Sequence, residues 1–134
     1  MNLVFVYGSL KKGFSNHRLL STSEFVSKGT VHDAELYSLG GFPALVGGSG
    51  SVEGELYEVS PETLRNLDML EGHPNFYRRE TRLVDCSMNG QLPCHVYIYQ
   101  GEVYGDYHIP CGEWKHEHVH APPNALRGES QEAV

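Results

Sequence analysis

The sequence predicts one compact α/β domain of the α+β kind, rich in short strands and holding one strong helix. Three observations carry this. Short β-branched and aromatic runs alternate with turns bearing Gly and Pro along most of the chain. One stretch carries a full set of helix start and stop signals. The chain has 134 residues, 40% of them hydrophobic, which suits a single domain able to bury a core and a small pocket without disulfide staples.

Taken in order, Leu3-Val4-Phe5-Val6-Tyr7 reads as a buried strand that runs into a glycine-bounded turn, Gly8-Ser9-Leu10-Lys11-Lys12-Gly13. A short helix is expected around Asn16 to Leu20. Residues 24–39 and 51–59 read as strands, set apart by turns at Gly40-Gly41-Phe42-Pro43 and Gly47-Gly48. Ser60-Pro61-Glu62 starts the main helix, with a capping hydroxyl, a proline at the first helical position and an acid in the first turn. Gly72 at its C′ position and Pro74 beyond it stop the helix. Residues 76–86 and 92–100 alternate as strands joined across Ser87 to Gln91, where Asn89-Gly90 signals a hairpin. There is no internal repeat. The domain is expected over residues 1–120, and 121–134, poor in apolar side chains, as a mobile tail.

The net charge of -7 argues against a nucleic-acid partner, because that affinity comes mainly from Lys and Arg neutralising phosphates. Lys11-Lys12 and Arg78-Arg79-Arg82 are too short to make a binding stripe. No segment reads as a signal peptide or a membrane span, so a cytoplasmic location is expected. Cys86, Cys94 and Cys111 are an odd count without CxxC spacing, as expected of reduced thiols.

Three features could carry chemistry. Leu64, Leu67 and Glu71 fall at i, i+3 and i+7 on one helix face, so the apolar stripe ends in a carboxylate that should point inward. The alternative is an acid that swings to solvent or pairs with Arg78 or Arg79. Second, the turn Tyr7-Gly8-Ser9-Leu10 follows a strand, a geometry that aims successive backbone N–H groups at one spot and suits a small anion; otherwise its glycine serves only a positive φ. Phe14-Ser15 after Gly13 rules out a Walker loop, and Ser9 lacks the G-x-S-x-G setting of an acyl nucleophile. Third, Cys111, His108, His116, His118 and His120 have a spacing that could furnish zinc or nickel ligands, with the last three on one face if they lie on a strand. Against it stands a solvent-facing polar segment, with no CxxC or HExxH frame, so no metal is assigned. Trp114 is expected to pack against the core.

The blocks Leu3-Val4-Phe5-Val6-Tyr7-Gly8-Ser9-Leu10-Lys11-Lys12-Gly13, Gly41-Phe42-Pro43-Ala44-Leu45-Val46, Val52 to Val59, Leu67-Asp68-Met69-Leu70-Glu71-Gly72-His73-Pro74 with Tyr77-Arg78-Arg79, and Gly112-Glu113-Trp114 stand in a telling order. They resemble the γ-glutamylcyclotransferase-like (AIG2-like) family, most closely its γ-glutamylamine cyclotransferase branch. The resemblance runs over residues 3 to 115. It implies a small mixed β-barrel with few helices and a ligand cavity at the turn. It further implies that Glu71 is the acid/base, that Tyr7, Gly8, Ser9 and Leu10 hold the substrate, and that Tyr77 lines the cavity. The stretch around 47–51, shorter than in the animal amine-specific enzymes, and the end from His116 onward depart from the pattern.

The implied reaction releases an amine from a γ-glutamyl amide and forms 5-oxoproline. The α-amine of the substrate is its own nucleophile, so the protein must orient it and move a proton, and no step calls for a cofactor. Three alternatives stay open: γ-glutamyl dipeptides as substrates, a non-catalytic small-ligand module on the same fold, and a metal-binding protein using the histidine segment.

Overall fold

The computed structural model describes residues 2–86 and 90–120. The predicted tail at 121–134 and the centre of the predicted hairpin, residues 87–89, lie outside the described residues. Five strands and one helix make up the frame: β1 (Asn2–Val6), β2 (Glu24–Ser38), β3 (Pro43–Val59), α1 (Pro61–Glu71), β4 (Tyr77–Cys86) and β5 (Gly90–Tyr99). The strands close into a barrel in the order β1-β3-β2-β4-β5. Every neighbouring pair is antiparallel except β1 and β5, which run parallel. The sheet is therefore mixed, as the resemblance implied.

Strand β1 shows why its residues form one apolar run. Alternate side chains of a strand point to opposite faces, yet Val4, Phe5, Val6 and Tyr7 are all fully buried, so both faces of β1 are covered. In α1 the Ser60 hydroxyl accepts the Thr63 N–H at 3.0 Å, Pro61 opens the first turn, and Gly72 adopts the left-handed conformation that ends it. Leu64, Leu67 and Glu71 are all buried, as their spacing predicts. Trp114 is buried in the core, and the three cysteines are free thiols.

Four expectations need correction. The helix expected around Asn16 to Leu20 is a single 3-10 turn, His17–Leu20. Gly47-Gly48 does not separate one strand from the next, because β3 runs from Pro43 through to Val59. Ala34 pairs with Gly47 and His32 with Ser51, so residues 48–50 bulge out opposite Asp33, which takes a positive φ of 58°. The Glu35 carboxylate holds this bulge, accepting the Ser49 N–H at 3.0 Å while bound to the His108 ring at 2.6 Å. Gly8 is absent from the glycines with positive φ, so that conformational reason for it fails. Finally, His116–His120 is a 3-10 turn rather than a strand, and His116 and His118 pack against different neighbours, Phe14 and Trp114.

Candidate active site

Glu71 is the last residue of α1 and has no exposed surface. The helix phase that buries Leu64 and Leu67 carries the carboxylate into the same interior. Around it stand tyrosines from three strands' ends and edges: Tyr7 directly after β1, Tyr77 at the start of β4 and Tyr97 within β5. The Tyr7 phenol is raised well above its ordinary pKa by burial and then by the Glu71 carboxylate, and a hydrogen bond from the Leu45 backbone works against this. Tyr77 is raised by burial, then by Tyr7 and Glu71. Burial, a hydrogen bond to Asp68 and the Asp68 and Glu71 charges raise Tyr97. The three phenols are thus neutral donors in one electrostatic neighbourhood with Glu71.

Each phenol has one proton to give. Tyr7 donates to the Tyr97 carbonyl at 2.8 Å, Tyr77 to the Pro43 carbonyl at 2.6 Å, and Tyr97 to Asp68 Oδ1 at 2.7 Å. These bonds tie β1 to β5, β4 to the first residue of β3, and β5 to α1. The site is a knot of five elements.

The turn after β1 lies beside it. Lys11 N–H donates to the Gly8 carbonyl at 3.0 Å, and Asn16 N–H to the Ser9 carbonyl at 2.9 Å. The Asn16 side-chain amide also donates to Ser9 Oγ at 2.9 Å, and His17 Nδ1 donates to the Leu10 carbonyl at 2.9 Å. The carbonyls of Gly8, Ser9 and Leu10 are thereby all hydrogen-bonded. Gly8 and Leu10 are buried and Ser9 partly so. Lys11, read from sequence as belonging to a basic cluster, is instead buried, its ammonium donating to the Trp114 carbonyl at 2.6 Å. Burial lowers its pKa against the pull of Glu113, Glu55 and Cys111.

The arginines offered as alternative partners for Glu71 are engaged elsewhere. Arg79 grips Asp68 with Nε at 2.8 Å and a terminal nitrogen at 2.9 Å, while Arg78 and Arg82 both pair with Glu80. Sequence reasoning missed Tyr97 and Asp68. Asp68 was legible in principle, three residues before Glu71 on the same helix; Tyr97 was not, because only the register Arg79↔Tyr97 brings it there.

The histidine segment disperses. His108 binds Glu35, His116 stacks on Phe14 with ring centres 4.1 Å apart, and His118 lies against Trp114. Among the described residues no three His, Cys, Asp or Glu side chains form a group that could hold a metal. Also among them, no helix is long and apolar enough to cross a membrane.

A barrel of this topology with a buried helix-end carboxylate beside a strand-to-turn junction defines a class, and the chain's relatives give it a name. Residues 4–116 match the family described as Gamma-glutamyl cyclotransferase, AIG2-like, and the chain belongs to that family. It is 40% identical over 114 residues to a Vibrio cholerae protein provisionally named a gamma-glutamylcyclotransferase, covering 84% of this chain and 95% of that one. It is 32% identical over 111 residues to the gamma-glutamylcyclotransferase family protein YtfP of Escherichia coli, covering 83% and 94%. Its fold is similar to the crystal structure of an AIG2-like protein from Mus musculus, with a TM-score of 0.76 and 26% identity over 100% of this chain and 99% of that one.

Proposed function

We propose that the protein cyclises the γ-glutamyl group of a γ-glutamyl amine to 5-oxoproline and releases the free amine. The reading is carried by Glu71, an acid on the apolar stripe of α1, fully buried among three phenols that its charge acts on, the first of them leading into a hydrogen-bonded turn. In this reading the amides between Gly8 and Leu10 fix the substrate α-carboxylate, and Tyr77 lines the cavity. Glu71 takes a proton from the α-ammonium. The amine nitrogen attacks the γ-carbonyl carbon, forming the ring C–N bond. The proton held by Glu71 then passes to the amide nitrogen as the old C–N bond breaks, and Glu71 takes the second proton from the ring nitrogen and hands it to the departing amine, which leaves as the ammonium. Holding nucleophile and carbonyl in line can remove roughly 7–11 kcal/mol of the barrier, and the positioned base adds about 10²–10⁴-fold.

The amine preference rests on charge. A γ-glutamyl-α-amino acid brings a second carboxylate close to the scissile amide, and desolvating it without a partner is costly. Arg79, which alternation places on the same face of β4 as Tyr77, is bound by both Asp68 oxygens. Release of 5-oxoproline from γ-glutamyl-ε-lysine and γ-glutamyl-alanine tests both levels: the expected kcat/KM is higher for the lysine compound, and a clear advantage for the alanine compound overturns the preference. Glu71→Gln should keep fold and ligand binding but lose at least about 10²-fold in turnover. Turnover near that of the unchanged protein removes the acid/base role, and ligand binding with no turnover of any γ-glutamyl compound would favour a binding module.

A further inference from the structure

Asp68 precedes Glu71 by three residues on α1, so the two side chains occupy neighbouring positions on one helix face. It is the meeting point of a network built from four segments. Arg79 of β4 reaches it with two N–H groups at 2.8 and 2.9 Å, a planar two-pronged grip that fixes geometry as well as charge. Tyr97 of β5, the cross-strand partner of Arg79, donates its hydroxyl proton to it. The Arg79 backbone N–H donates to His73 Nδ1 at 2.9 Å, which binds the same residue to the turn leaving α1. The Tyr97 carbonyl in turn accepts the Tyr7 hydroxyl. One carboxylate thus governs where a phenol proton near Glu71 points, and its own negative charge is matched by the guanidinium.

We propose that Asp68, held by Arg79, is a positioning residue for Glu71: it draws the Tyr97 hydroxyl proton to itself and keeps the charge beside the acid/base balanced, so that Glu71 retains the proton affinity needed to accept a proton from the substrate ammonium. This rests on the cyclotransferase reading for its consequence in turnover, although the electrostatics stand apart from it. The physical content lies in the signs. Asp68→Asn leaves the Arg79 guanidinium uncompensated and releases the Tyr97 proton to other acceptors; both favour an ionised Glu71 and weaken it as a base. Arg79→Gln leaves the Asp68 carboxylate uncompensated and repels the ionised form, so Glu71 holds its proton more tightly. A purely structural pair would damage the site in the same way whichever half was removed.

The test is a titration of the Glu71 side-chain carboxyl carbon by NMR, assigned with Glu71→Gln, together with the pH profile of kcat/KM for 5-oxoproline release. Asp68→Asn should lower the Glu71 midpoint by about one pH unit or more, a tenfold loss of proton affinity, and move the acid limb of the profile the same way. Arg79→Gln should raise both. Arg79→Lys, which keeps the charge and gives up the two-pronged grip, should stay within a few tenths of a unit of the unchanged protein while kcat falls and KM holds, and it carries this arm should Arg79→Gln fail to fold. Midpoints that do not move, or that move the same way in Asp68→Asn and Arg79→Gln, overturn the proposal. A protein that releases no 5-oxoproline while its Glu71 midpoint shifts with opposite signs would overturn the cyclotransferase reading and leave the positioning role standing.

Discussion

Gly54 should be the least replaceable glycine of the barrel wall. It pairs with Gly29 across β2 and β3, next to the β2–β4 seam, where Gly29↔Cys86 and Thr30↔Asp85 are the pairs in register among the described residues. A Cβ at Gly54 would stand 2.4 Å from the Val6 carbonyl oxygen and 2.7 Å from Phe5 Cζ. Ordinary contact begins near 3.4 Å, so β1 would have to retreat by about 1 Å, and the obstacle is backbone, which cannot swing aside. Overpacking of this sort costs about 1–3 kcal/mol, against about 0.4–1 kcal/mol gained by narrowing the unfolded ensemble. At about 4 °C per kcal/mol for a domain of this size, Gly54→Ala should lower Tm by up to roughly 10 °C. Gly47→Ala is the control, since nothing lies within 4 Å of its added carbon and its φ is not positive; it should be neutral or slightly stabilising. Thermal and urea unfolding of the two variants measure this. If Gly54→Ala proves as stable as Gly47→Ala, the close approach of β1 to β3 is wrong.

Two further predictions concern titration and thiol access. Burial alone would raise Asp68, but the hydrogen bonds from Arg79 and Tyr97 hold it below the usual carboxylate range; its stabilising contribution is therefore present above the unfolded pKa of about 3.9 and is lost as pH falls through the lower folded value. Asp68→Asn should lose stability at neutral pH and show a flatter decline toward pH 2, and parallel stability curves for the two proteins would contradict this. With a thiol reagent at pH 8, Cys111 should react at once, being exposed, whereas Cys94, pushed up to about 11 by burial and then by Cys86, and the buried Cys86 should react only on unfolding; three thiols reacting at equal rates in the folded protein would refute the burial of β4 and β5.

What the sequence determined by itself was local. The boundaries of α1 follow from Ser60, Pro61 and Gly72, because caps and stops act through bonds to residues within four positions. The inward aim of Glu71 follows from the helix period, and the burial of both faces of β1 from five apolar residues in succession. The order of blocks also named the family. Tertiary structure decided what depends on residues far apart in the chain. A glycine pair at 47–48 has the composition of a turn, and only the pairing of β3 with β2 and the grip of Glu35 make it a bulge. The histidines from 116 onward have the alternation of a strand face in the sequence, and a 3-10 turn sets His116 on Phe14 and His118 on Trp114. Tyr97 carries no local mark of function; the register of β4 against β5 sets it opposite Arg79, and Asp68 takes its proton. In each case the deciding contact joins residues far apart in the chain, Gly47 to Ala34, His116 to Phe14 and Tyr97 to Arg79, a separation that no periodic pattern encodes.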